Sequence, residues 1–71
     1  MNFYNAVWIL ARKNGERIAD VARNTGVSRQ CIDGYKKRKG ISVEIAQRYA
    51  DYFGITLDEF VKLAGEQDEQ N

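Results

Sequence analysis

The 71-residue sequence contains no histidine and a single cysteine, and these absences narrow the chemistry that the protein can perform. Without histidine, neither a cysteine–histidine nor a serine–histidine catalytic dyad can form, and one thiol cannot build a cysteine-rich metal site. A lone cysteine also forms no disulfide within the chain, which is typical of proteins from reducing compartments. We therefore predict a cytoplasmic protein that is not an enzyme and that binds no metal, cofactor or small-molecule ligand.

Proline is also absent, and no apolar run approaches the roughly 20 residues that span a membrane. The N-terminal residues lack the basic segment that begins a secretory leader, so we expect neither a leader nor a membrane contact. Apolar residues recur instead at helical spacing along nearly the whole chain, and helices satisfy their own backbone hydrogen bonds. This predicts a single all-α domain over residues 1–65, followed by an acidic, disordered tail over residues 66–71.

The net charge of +1 conceals a strong separation of charge along the chain. Residues 1–49 contain ten Lys/Arg and four Asp/Glu, which gives a formal charge of +6. Residues 50–71 contain one lysine and six Asp/Glu, which gives −5. The basic part has the charge expected of a surface that binds nucleic acid.

Residues 18–37 have the pattern of two short helices joined by a tight turn. An apolar stripe ends at Gly26, which can adopt the left-handed conformation that terminates a helix. Ser28 is a favourable N-cap for the second helix, whose inward residues are Ile32 and Tyr35. Because only three or four residues are available for the turn, the two helices must cross steeply.

The outward face of the second helix carries side chains that suit recognition of DNA bases. Arg29 can donate two hydrogen bonds to guanine, Gln30 can pair in the same way with adenine, and Asp33 can accept from cytosine. Gly34 costs about 1 kcal/mol in a helix relative to alanine, so either a close approach of DNA or internal packing is needed to explain it. Lys37 also points away from the core.

Positive side chains near this helix are candidates for contacts with DNA phosphates, which position a protein without specifying sequence. An isolated surface charge equally often serves only solubility, and that alternative stays open for each of them. The candidates are Arg17, Arg23, Lys36, Arg38 and Lys39.

Seven residues of this segment match the pattern of a known family: Val21-Ala22, Gly26-Val27-Ser28, Ile32 and Tyr35. They resemble the helix-turn-helix of the phage repressor and Cro family, the lambda-repressor-like domains, and the resemblance continues to residue 60. It implies a compact five-helix, lambda-repressor-like DNA-binding domain whose recognition helix is the second helix described above. It also implies double-stranded DNA as the partner, with Ser28 and Lys37 as flanking base contacts.

Three residues depart from the pattern of the family. Ile18 stands where a glutamine often binds phosphate, which removes one expected DNA contact. Lys36 replaces a commonly acidic residue, and Arg38 replaces the glycine that usually ends the recognition helix. The last two departures predict a longer and more basic end to this helix.

The apolar stripes predict the remaining helices and the core. Helices are expected over residues 3–14, 43–53 and 57–64, the last ending at Gly65, and Val43 opens the inward stripe of the fourth helix. Cys31 is either a reactive thiol or, as we favour, a small filler beside Tyr35. The predicted core comprises Val7, Leu10, Val21, Ala22, Val27, Ile32, Tyr35, Ala46, Ala50, Phe53, Leu57 and Phe60.

A single recognition helix reads too few base pairs for useful specificity, so we predict a homodimer. Leu63 is the first choice for the dimer contact because it lies off the apolar stripe of its helix. Tyr4 and Trp8, in a first helix that is apolar almost all round, are the second choice, although we favour the interpretation that they cover the edge of the core. Acidic residues near the C-terminus predict a weak association that forms on DNA.

The function predicted from these features is sequence-specific transcription regulation. The most direct form is a Cro-type phage or prophage repressor that binds a pseudo-palindromic operator. The alternatives are an antitoxin-like autoregulator and a protein-interaction module that keeps the fold without binding DNA, since fold alone does not determine function.

Overall fold

The computed structural model describes residues 2–37 and 40–69 of the protein, and this part of the chain forms five helices. The predicted all-α, five-helix architecture is confirmed. None of these helices combines the length and the apolarity that crossing a membrane requires. The helices are α1 (Phe3–Lys13), α2 (Ile18–Thr25), α3 (Arg29–Gly34), α4 (Val43–Phe53) and α5 (Leu57–Glu69).

The junction between α4 and α5 shows how local chemistry sets the helix ends. Gly54 ends α4 in the left-handed conformation, with φ of +70°. The Thr56 hydroxyl then accepts a hydrogen bond from the Glu59 backbone N–H at 3.1 Å, and the Glu59 carboxylate accepts one from the Thr56 N–H at 3.1 Å. This reciprocal pair is a capping box, as the spacing of threonine and glutamate predicts.

A series of aromatic rings crosses the core and connects four parts of the chain. Tyr35 meets Tyr49 edge to face, with ring centroids 6.2 Å apart, and Tyr49 stacks on Phe60 at 5.6 Å. Phe60 in turn stacks on Phe3 of α1 at 5.8 Å. The hydroxyls of Tyr35 and Tyr49 are hydrogen-bonded at 3.0 Å within the core. Burial raises the pKa of Tyr49 to about 12 and also raises the pKa of Tyr35, so both rings stay neutral.

Most of the predicted core residues are buried, but the prediction is wrong for Ala22, Phe53 and Leu57, which are half-buried. On α4, Val43 is 71% exposed, whereas Tyr49 is fully buried. Val43 and Phe53 are the first and last residues of α4, where the neighbouring helices cover the apolar stripe incompletely. Outside that list of twelve, the core also contains Phe3, Ile18 and Ala64, which lie on the predicted apolar stripes, and Ala6, Ala11 and Tyr49.

Two predicted helix ends are also wrong. α5 passes through Gly65 to Glu69, because Gly65 does not adopt a positive φ, so the helix enters the segment that was predicted to be disordered. The boundary between a domain and a tail at residue 65 stays a prediction. α3 is not extended but ends at Gly34. Residues 35–37 instead form tighter turns, with hydrogen bonds of the i to i+3 kind that tighten a helix end.

Candidate DNA interface

The turn between α2 and α3 is short, and its local chemistry sets the end of α2 and the start of α3. Gly26 ends α2 with φ of +77°, and the Ser28 hydroxyl caps α3 by accepting a hydrogen bond from the Cys31 N–H at 3.1 Å. Val27 and Ile32 are buried and attach α3 to the core, so the opposite side of α3 faces solvent. Cys31 is partly buried beside Tyr35, as predicted, with its Sγ 3.7 Å from the Tyr35 hydroxyl, while its role as an inert filler stays a prediction.

The structure brings the predicted base-reading residues together on the outer face of α3 and the turn that follows it. Arg29 and Gln30 are exposed, while Asp33 and Gly34 are half-buried. The Arg29 Nε lies 3.9 Å from an Asp33 carboxylate oxygen, a weak surface pair that leaves both side chains available. The exposed residues Ser28 and Lys37 flank this group at its two ends.

The surroundings of Gly34 show whether packing within the described residues requires a glycine at this position. A Cβ placed on Gly34 would meet no atom of the described residues within 4 Å. Packing among the described residues therefore does not require a glycine at this position, and a close approach of DNA to Gly34 stays a prediction.

We expect the variant Gly34→Ala to stabilise the free protein by about 0.5–1 kcal/mol, because alanine loses less backbone entropy on folding. The same variant should weaken operator binding, because the added methyl group would lie between α3 and the DNA. Thermal melting and fluorescence anisotropy with labelled operator would measure the two effects. The matched control is Gly65→Ala, which also has open space in a helix and should stabilise the protein without changing the affinity for DNA. Unchanged operator affinity of Gly34→Ala would contradict a close approach.

The predicted phosphate contacts near α2 have different surroundings. Arg17 is exposed directly before α2. Arg23 is paired with Asp20, whose carboxylate also accepts a hydrogen bond from the Arg17 backbone N–H at 3.0 Å. In the free protein, the negative charge of Asp20 thus offsets part of the positive charge of Arg23. Ile18 is buried, so its side chain faces the core rather than a phosphate.

The predicted phosphate contacts after α3 are described only in part. Lys36 is exposed, and its Nζ lies 4.5 Å from the centroid of the Tyr4 ring. Arg38 and Lys39 lie outside the described residues, so their role stays a prediction.

A polar network that the sequence pattern did not indicate joins α2 to α4. The Tyr52 hydroxyl of α4 donates to the Glu16 carboxylate and accepts from the Asn24 amide at 3.0 Å. The Asn24 amide also donates to Glu16 at 3.3 Å. The hydrogen bond to Glu16 raises the pKa of Tyr52. No sequence signal connects these residues, because they lie on three elements that only the tertiary fold brings together.

Arg48 of α4 is a further cation that was not predicted. Its Nη1 lies 4.0 Å from the position that a Cβ would take on Gly26, so the guanidinium stands beside the turn between α2 and α3. Arg48 is exposed and adds positive charge next to the helix-turn-helix.

The predicted dimer contacts do not form one surface. Leu63 is half-buried and lines a groove between α1 and α5 with Leu10 and Ile55. Trp8 is 44% exposed, and it lies under the Arg12 guanidinium at 5.0 Å. Leu10 and Trp8 point to opposite sides of α1 because they are two residues apart in a helix. The rim of the groove carries both charges, from Lys13, Glu59, Lys62 and Glu66.

A short turn between two helices, a capped α3 with an exposed face, and cations near the turn before α3 and after its end are features of a helix-turn-helix DNA-binding protein. The chain matches the family model of the Cro/C1-type HTH DNA-binding domain over residues 6–66, and it belongs to that family. The resemblance to the Cro and lambda-repressor-like family is thereby confirmed. The chain matches none of the curated proteins and none of the solved structures with which it was compared.

Proposed function

We propose that the protein is a Cro-type repressor, of phage or prophage origin, that acts in the cytoplasm. It occupies a pseudo-palindromic operator as a dimer and prevents RNA polymerase from using the promoter. The observation that carries this proposal is the outer face of α3, where Arg29, Gln30 and Asp33 stand together on a helix held by the buried Ile32. These are the residue types that read base edges in the major groove.

The cations around α3 have a separate role in this proposal. Arg17, Lys36, Arg38 and Lys39 contact phosphates beside the groove, which sets the position of α3 without adding specificity. Arg23 contributes less, since Asp20 already pairs with it. The binding of DNA is therefore expected to weaken as the salt concentration rises.

Binding to DNA from the promoter region of its own gene tests the proposal directly. A gel shift with this DNA and with a scrambled duplex of equal length should show tighter binding to the promoter DNA. Equal binding to both duplexes, or binding to neither, would contradict a sequence-specific regulator. An antitoxin-like autoregulator would also bind its own promoter, and co-purification of a toxin partner would identify it.

The proposed dimer uses the groove between α1 and α5, which Leu63 lines. Two lysines and two glutamates line this groove, so a two-fold contact can bring opposite charges together, while the other acidic residues near the C-terminus keep the association weak. Two recognition helices would then lie about 34 Å apart, one turn of the DNA.

We expect the variant Leu63→Glu to bind a full operator no more tightly than a half-site, because a buried, unpaired carboxylate prevents the dimer contact. The wild-type protein should bind the full operator with two copies and with higher affinity than the half-site. Analytical ultracentrifugation on DNA measures the stoichiometry, and the half-site affinity shows whether the variant is folded. If Leu63→Glu binds the full operator normally and Trp8→Glu binds it more weakly, the dimer contact lies on the exposed face of α1 and not in the groove.

A protein-interaction module is the second candidate, and the exposed Trp8 favours it. A large aromatic side chain that is 44% exposed is a common anchor of protein interfaces. This candidate predicts that the protein does not bind the promoter DNA in the gel shift. It also predicts that Trp8→Ala abolishes binding to a protein partner.

A further inference from the structure

Tyr4 of α1 makes a contact with the segment that follows the recognition helix, although 32 positions separate the two residues in the sequence. The Nζ of Lys36 lies over the Tyr4 ring, 4.5 Å from the centroid. Tyr4 is half-buried and packs against the core, while Lys36 is exposed two positions beyond the end of α3. A cation at this distance is attracted to the face of the ring.

The contact restricts a side chain that is otherwise mobile. A free lysine has several rotatable bonds, so ordering its side chain costs conformational entropy. The backbone of Lys36 is already held by a hydrogen bond from its N–H to the Asp33 carbonyl at 3.2 Å. With the ring below the ammonium group, both ends of the Lys36 side chain are placed before any ligand binds.

We infer that Tyr4 is a positioning residue for DNA binding, which holds the ammonium group of Lys36 beside the end of α3, where it meets a DNA phosphate. This inference rests on the proposed function of α3 as the recognition helix. It assigns Tyr4 to the DNA-binding side of the molecule rather than to a dimer contact. α1 then contributes to DNA binding indirectly, because Tyr4 positions Lys36 and does not itself contact DNA.

α1 contains a second pair of a cation and an aromatic ring, but this pair does not connect α1 to another element. Arg12 and Trp8 are one turn apart on the same helix, so their contact joins no two elements. The pair of Tyr4 and Lys36 crosses from α1 to the end of α3. Of these two pairs, only Tyr4 and Lys36 connect α1 to a residue of the proposed interface.

A double-mutant cycle with Tyr4→Leu and Lys36→Met tests the inference. The affinity for a short half-site duplex is measured by fluorescence anisotropy, because one copy binds there and a dimer contact cannot contribute. Tyr4→Leu should weaken binding by about two- to fivefold, the size of an exposed cation–π contact. Tyr4→Phe keeps the ring and should bind like the wild type. Lys36→Met should reduce the slope of log K against log salt by about 0.9, the value of one phosphate contact.

The cycle separates a positioning role from other roles of Tyr4. Tyr4→Leu should have no further effect in the Lys36→Met background, since the cation it holds is then absent. A loss that persists in this background, a loss of equal size in Tyr4→Phe, or tighter binding by Tyr4→Leu would each overturn the inference. Wild-type protein that binds no DNA would instead refute the proposed function itself.

An NMR measurement on the free protein keeps the inference testable even where a variant folds poorly. Protons next to the Lys36 ammonium group should show an upfield ring-current shift in the wild type and in Tyr4→Phe. Wild-type shifts equal to those of an exposed lysine would overturn the contact on which the inference depends.

Discussion

Replacing Ile32 by alanine is expected to destabilise the protein by about 2–5 kcal/mol, the cost of a cavity at a buried aliphatic side chain. Ile32 is fully buried, and it is the one buried residue of α3, which has only six residues. A helix this short is unstable by itself and depends on its tertiary contacts. Because small domains have about 5–15 kcal/mol of stability in total, the loss would unfold a substantial part of the population near physiological temperature.

Urea denaturation followed by circular dichroism would measure this loss. Val43→Ala is a suitable control, because it also shortens a β-branched aliphatic side chain in a helix but at a position that is 71% exposed. Its effect should stay within about 0.5 kcal/mol, as for most surface substitutions. Melting of Ile32→Ala at the wild-type temperature would show that Ile32 is not buried and that the outer face of α3 is assigned wrongly.

Removal of the Arg29 side chain is expected to cost about 1–3 kcal/mol of operator affinity, or roughly 5- to 150-fold, and to abolish discrimination at one base pair. Arg29 is exposed on α3, and its only ion pair in the described residues is the weak one with Asp33, so its guanidinium is free to meet a guanine. Gln30→Ala should have an effect of similar size at a neighbouring base pair.

The measurement is a set of binding constants for single-base-pair variants of the operator, at fixed salt. Loss of a base contact flattens the profile at one position, whereas loss of a phosphate contact, as in Lys36→Ala, weakens all sequences alike. Gln47→Ala is the matched control for Gln30, since this exposed glutamine of α4 bonds to Asp51 at 2.9 Å. Wild-type affinity in both Arg29→Ala and Gln30→Ala would refute base recognition by this face.

Several local features could be predicted because neighbouring residues cause them. Gly26 and Gly54 end α2 and α4 with positive φ, a conformation that residues with a Cβ rarely adopt. Ser28 caps α3, and Thr56 with Glu59 starts α5, because their side chains reach the free N–H groups of the next turn. The face of α3 followed from the same local reasoning, once Ile32 and Tyr35 were taken as inward.

The errors arose where distant parts of the chain decide the outcome. Gly65 remains helical in α5, although a glycine at that position could equally have ended the helix. Val43 belongs to the apolar stripe of α4 by its spacing, yet its side chain is 71% exposed. Periodicity shows which side of a helix is apolar, but it does not show where along the helix the neighbours begin and end.

The sequence by itself determined the class of fold, the place of the turn and the outer face of α3, because caps, left-handed glycines and helical periodicity act within a few residues. Only the tertiary structure decided which residues meet across those elements. It placed Tyr4 under Lys36, joined Tyr52 to Asn24, and left open space beside Gly34. Such contacts depend on how five helices pack together, and no spacing within one helix encodes that packing.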